Sequence, residues 1–184
     1  MPVQKRSKIF MLEWNSPGKI QNYAEVGMSQ MPSRPRGLYF EEFSLGHKFV
    51  TAGRTVTEAD VVSFAGLSGD FNQMHVDADY SAKGVFGQRV AHGLLVLSIV
   101  SGLAVQSGFM EGTVIAFREI NEWKFSKPVF LGDTVHAIIE VTELKPMPRL
   151  GGGLARLSFS VRNQTDDVLM KGIWLVLVAS QPSE

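Results

Sequence analysis

Cysteine is absent from all 184 residues, and with it go disulfides, thiolate nucleophiles and cysteine-ligated metal sites. Net charge is absent too. Eighteen basic residues balance eighteen acidic ones, so there is no basic field to draw nucleic acid or anionic lipid, and neither is expected as a partner. Residues 1–36 contain no apolar run long enough to span a bilayer or to form the core of a secretory signal. Together these absences lead us to expect a cytoplasmic protein that meets no membrane. Histidine is also scarce, four in the chain, so each can be weighed singly.

With 45% hydrophobic residues, the chain is sized for one domain with a substantial core. Residues 1–36 differ from the rest in their scattered Lys and Arg, their Pro and their lack of a sustained hydrophobic period. Glu13 and Glu25 and a shortage of Ser speak against an organelle transit peptide. We expect an N-terminal extension or arm over 1–36 and the folded domain over 37–184.

Within the domain, Thr57-Glu58-Ala59-Asp60 has the form of a capping box with Asp in place of Glu. It predicts a helix that turns Val61, Val62, Phe64 and Ala65 toward the core and ends over Gly66 to Gly69. Leu94 to Val105 is apolar apart from Ser98, Ser101 and Gly102. That predicts a helix hydrophobic all round, too short for a membrane and therefore buried. The period then changes. Val135, Ala137, Ile139 and Val141 alternate along the chain, as do Ala155, Leu157, Phe159 and Val161 with Arg156, Ser158, Ser160 and Arg162 between them, the mark of half-buried antiparallel strands. Asn163 to Asp167 reads as a turn, and Leu169 to Val178 as a strand covered on both sides or at an interface. One apolar helix followed by long strands reads as an α+β fold, an antiparallel sheet wrapped around a central buried helix.

The chemistry concentrates in Ser68-Gly69-Asp70-Phe71-Asn72-Gln73-Met74-His75, and seventeen residues after His75 comes His92-Gly93 at the head of the apolar run. Asp70 and His75 on a turn can hold one water between them, a general acid and base in outline. A helix opening at Gly93 offers unpaired backbone N–H groups of the kind that stabilise a developing oxyanion. The competing reading is a turn in which the Asx side chains cap their own backbone and the His is structural.

Residues FAGLSGDFNQMHVDADYSAKGVFGQRVAHGLLVLSIVSGL, Phe64 to Leu103, resemble the MaoC-like (R)-specific enoyl-CoA hydratases and dehydratases, which have the hot-dog fold. The likeness runs from about Gly37 to the C-terminus and includes a second patch, Phe125-Ser126-Lys127-Pro128-Val129-Phe130-Leu131-Gly132-Asp133. It implies reversible syn addition of water to a 2-enoyl thioester, with a coenzyme A thioester as substrate and no metal or other cofactor. It assigns Asp70 and His75 as the catalytic pair and the Gly93 N–H as oxyanion donor, with Asn72 and Ser101 supporting. Ser101 has an alternative as a hydroxyl bonded back to its own helix. His92 is read as a structural histidine at the helix start, and His47 and His136 as surface or structural. Where the family has Pro after the Asn, this chain has Gln73, which loosens the loop. A homodimer or dimer-based oligomer is implied, since one wrapped sheet leaves an open edge.

Other readings are weaker. The loop fails the calcium pattern at Met74, and no second His stands at helical spacing for zinc. Gly151-Gly152-Gly153 lacks the Lys-Ser or Lys-Thr of a phosphate loop and reads as a hairpin tip. A thioesterase of the same fold commonly carries an Asp or Glu on or near the central helix, and Gly93 to Ser107 has none. A non-catalytic acyl-thioester-binding subunit remains as the alternative from another class.

Overall fold

The computed structural model describes residues 36–182; the expected N-terminal extension lies outside the described residues but for Arg36. In chain order the elements are strands β1 (Lys48–Val50) and β2 (Arg54–Thr55), helices α1 (Glu58–Ser68), α2 (Gln73–Val76), α3 (Ala78–Ala82) and α4 (Gly93–Gln106), then strands β3 (Val114–Phe125), β4 (Thr134–Met147), β5 (Gly152–Arg162) and β6 (Val168–Ala179). The strands form one antiparallel sheet in the order β1-β4-β5-β6-β3, with β2 also paired to β4. This is the hot-dog arrangement.

The alternation read in β4 and β5 sets the core. Val135, Ala137, Ile139 and Val141 are buried, as are Ala155, Leu157, Phe159 and Val161, because one face of each strand turns toward α4 and residues two apart share a face. Ile139 lies opposite Phe159 in the ladder, and Phe159 packs on Trp174 of β6 with ring centroids 4.0 Å apart. These side chains share one hydrophobic cluster with Leu95, Val96, Ile99, Val100 and Leu103 of α4. Each such burial contributes about 1.5–3 kcal/mol.

Two expectations need correction. In α1 only Val61 and Ala65 are buried, and Val62 is 55% exposed, because successive helical residues turn by about 100° and Val62 follows Val61 out of the core. In α4 the buried residues lie on one side, while Leu94 is 61% and Val105 45% exposed. The sheet wraps the helix on that side alone, so hydrophobicity all round does not mean burial all round. Among the described residues no helix is long and apolar enough to cross a membrane.

Candidate active site

The site begins where α1 ends. Thr57 caps its start, taking the Asp60 N–H while the Asp60 carboxylate accepts from the Thr57 N–H at 2.8 Å. At its end Gly69 adopts φ +76°, a left-handed conformation that glycine reaches without penalty. The chain turns there and presents Asp70. The carboxylate of Asp70 accepts from the Asn72 N–H at 3.2 Å, and Asn72 caps α2 through the Met74 N–H. His75 therefore sits on a one-turn helix rather than a free loop.

A second segment, residues 90–93, crosses the first. The Val90 N–H donates to the Met74 carbonyl at 3.1 Å, and His75 Nδ1 lies 2.7 Å from the Val90 carbonyl. A carbonyl only accepts, so Nδ1 carries the proton and Nε2 is the ring nitrogen free to take one. His92 makes the reciprocal contact: its Nε2 stands 2.9 Å from the main-chain carbonyl of Asp70. The two imidazoles stack, centroids 3.8 Å apart and planes 29° from parallel. Asp70 is exposed, whereas His75 and His92 are buried.

Asp70, His75 and His92 offer three ligand atoms within 4.8 Å of one another. No sequence spacing joined His92 to the pair; the crossing of the two segments does. As a metal site the trio is a poor fit. Each ring keeps one nitrogen free of the carbonyl it bonds, but rings stacked 29° from parallel send their in-plane lone pairs side by side rather than to the common point a tetrahedral ion requires. As proton-handling groups, a carboxylate and a bare imidazole nitrogen at this separation can share one water.

Beside the pair opens a cleft of about 520 Å³ lined by His75, Gly93, Leu94, Phe125, Val129 and Met170 among others. Its lining is apolar apart from His75, Ser126 and Lys127. Lys127 is held by Asp167 at 2.6 Å; that lysine, with Thr165 and Asn163 adding hydrogen bonds, keeps the Asp167 carboxyl below the ordinary aspartate range. Gly93 opens α4, and no side chain caps that helix, so its first N–H groups face the cleft end uncapped. A Cβ at Gly93 would stand 2.8 Å from Phe125 Cε1, so any larger residue there would have to push that half-exposed ring aside. Ser101, two turns further along α4 and half-buried, is not among the cleft lining. His47 stacks on Phe49 far along the sheet, and His136 lies in β4.

The MaoC-like domain family model matches residues 42–158. The chain belongs to that family. The MaoC-like domain is 43% identical over 97 residues to Protein MaoC of Klebsiella aerogenes, 53% of this chain and 28% of that one, so it spans well under a third of that longer relative. It is 37% identical over 108 residues to the (R)-specific enoyl-CoA hydratase of Rhodospirillum rubrum, 59% of this chain and 72% of the relative. In three dimensions it matches the monoamine oxidase regulatory protein from Archaeoglobus fulgius with TM-score 0.73 and 35% identity, over 79% of this chain and 97% of that one.

Proposed function

We propose that this MaoC-like domain is a hydro-lyase that reversibly adds water across the C2–C3 double bond of a 2-enoyl thioester, giving the (R)-3-hydroxyacyl product. The observation that carries the reading is the fixed orientation of His75. With Nδ1 committed to the Val90 carbonyl, Nε2 is left free on a ring that lines an apolar cleft beside an uncapped helix start, and the Asp70 carboxylate lies within 4.8 Å of a nitrogen of that ring.

A water held between Asp70 and His75 Nε2 attacks C3 as the pair takes one of its protons, and the pair passes that proton on to C2, so both groups end the addition in the protonation state in which they began. Electron density moves onto the thioester oxygen in the transition state, and the Gly93 N–H is placed to receive it. Both groups act from one side, so the addition is syn. The proton count closes without a redox partner or a metal ion. The cleft offers an acyl group apolar walls and one lysine already paired with Asp167. That favours an unsubstituted or alkyl-branched acyl chain over one with a second carboxylate, and a coenzyme A thioester is the substrate proposed.

We assign the assembly as a homodimer. The terminal strand β3 exposes Ile115, Phe117 and Ile120, and α4 exposes Leu94 and Val105; a second copy that continues the sheet covers both.

The test is hydration of crotonyl-CoA and longer 2-enoyl-CoA thioesters by the purified full chain, with chiral analysis of the product. Asp70→Asn and His75→Ala each lower turnover on the order of 10² to 10⁴-fold, and the double variant is little worse than either single, because both groups act on one water. The two should differ in stability. Asp70 is exposed and its loss is mild, whereas His75→Ala strands the buried Val90 carbonyl at about 1–3 kcal/mol. No hydration of any thioester refutes the reading and favours the binding-subunit alternative; an (S) product refutes the assigned face.

A further inference from the structure

His92 occupies the N-cap of α4, yet its side chain makes no cap hydrogen bond. A capping side chain normally turns back onto the first N–H groups of its helix. Here the ring points the other way, donating through Nε2 to the main-chain carbonyl of Asp70 at 2.9 Å and stacking on His75. It is 2% exposed, and Phe64 closes on its other side with ring centroids 5.1 Å apart. Its Nδ1 is buried without a hydrogen-bond partner. A buried polar atom left unpaired destabilises a fold, and a phenyl ring would fill the same space without it.

We propose that His92 is the positioning residue of this site. It fixes Asp70 through its backbone and His75 through ring contact, and by leaving α4 uncapped it keeps the Gly93 N–H open to the thioester oxygen. One side chain thus sets all three groups of the reaction relative to one another. This rests on the hydratase reading above. The unpaired Nδ1 follows from that role: with Nε2–H committed to the Asp70 carbonyl, the other nitrogen is left bare.

Two variants separate the contacts. His92→Phe keeps the aromatic stack and removes the N–H; His92→Gln keeps an N–H donor and removes the stack. With crotonyl-CoA, His92→Phe is expected to lose roughly ten- to hundredfold in kcat, the scale of a misplaced reacting group. Its KM should stay within about twofold, since ground-state binding in the cleft is untouched. Its melting temperature should stay close to that of the wild type, because removal of the unpaired nitrogen offsets loss of the bond to the Asp70 carbonyl. His92→Gln should recover most of the missing kcat. A purely structural histidine gives the opposite pattern, lower stability with unchanged kcat in the surviving fold. Wild-type kcat in a folded His92→Phe overturns the proposal, as does failure of His92→Gln to exceed it. If His92→Phe does not fold, His92→Leu takes its place in the comparison with His92→Gln. Absence of turnover in the wild type refutes the hydratase reading itself, whereas an active wild type with an unaffected His92→Phe refutes only the role of His92.

Discussion

Replacing Gln73 by Pro should stabilise the protein, because the backbone at that point already suits the ring. Gln73 is the first residue of α2, directly after the cap Asn72. That is the helix position where proline fits best, because its N–H has no partner inside the helix and φ is already near the value the ring imposes. The residue before a proline must avoid the helical region, and Asn72 already sits at φ −56°, ψ 131°. The bonds that hold the turn are untouched: the Gln73 carbonyl still accepts from the Asp77 N–H at 2.9 Å, and the Asn72 carbonyl from the His75 N–H at 2.9 Å. Since the folded turn keeps these bonds, the gain is the reduced freedom of the unfolded chain, about 0.4–1 kcal/mol. For a chain of this length that corresponds to roughly 1–4 °C in Tm. Urea unfolding should show a higher midpoint with an unchanged m-value, and hydration rates should stay within about twofold of the wild type because Asp70 and His75 do not move. A fall in Tm would show that Gln73 makes a contribution the helix geometry does not contain.

Gly93→Ala should fold yet lose on the order of 10²-fold in turnover, since its methyl group meets Phe125 Cε1 at 2.8 Å and Cδ1 at 2.9 Å and occupies the approach to the Gly93 N–H; wild-type steady-state kinetics would refute the oxyanion role. Stability should fall on acidification. Arg89 holds the Glu58 carboxyl below its ordinary 4.5, and Asp60, though desolvation pushes it up, is held below its ordinary 3.8 by Thr57 and Arg54. Carboxyls lowered in the fold stabilise fully above their unfolded values and lose that contribution as pH drops through the folded ones, so urea midpoints should be flat from about pH 7 to 5 and fall below about 4; a rise on acidification contradicts the assignment. Light scattering of the purified chain should give twice the chain mass at micromolar concentration, and a stable monomer refutes the dimer.

Legibility in the sequence tracked how local each cause was. The alternation in β4 and β5 was readable because one face meets the core and the other does not, and the capping box of α1 because its bonds run between Thr57 and Asp60, three residues apart. Strand β3 escaped. Its stretch Arg118-Glu119-Ile120-Asn121-Glu122 mixes charge with apolar residues at an open edge, its register to β6 shifts three times, and Glu122 has φ 53°, so no clean period survives. The exposed side of α4 escaped because apolarity alone cannot distinguish a core from an exposed apolar surface. Asp70, Asn72, His75 and Gly93 were legible as a motif and His92 as a structural histidine at the helix start, but its contact with the Asp70 carbonyl was not, since that bond joins residues twenty-two apart.

Val90 shows why the site holds its shape although the loop has Gln73 where the resemblance read in the sequence leads one to expect Pro. Its N–H donates to the Met74 carbonyl and its carbonyl accepts from His75 Nδ1, while His92 donates to the Asp70 carbonyl. Three hydrogen bonds thus tie segment 70–75 to segment 90–93 like the rungs of a short ladder. That second segment is in turn fixed to the fold, with Ala91 N–H donating to the Val129 carbonyl at 2.8 Å and Val90 bridging Phe130. Between the two segments, Ser81 Oγ donates to the Gln73 carbonyl and Arg89 makes paired bonds to Glu58 at the start of α1, so these two side chains add to the hold on Asp70 and His75. Rigidity here comes from backbone groups that any residue supplies. Their contribution is invisible in a motif, and it lets the loop keep Asp70 and His75 in place without the proline.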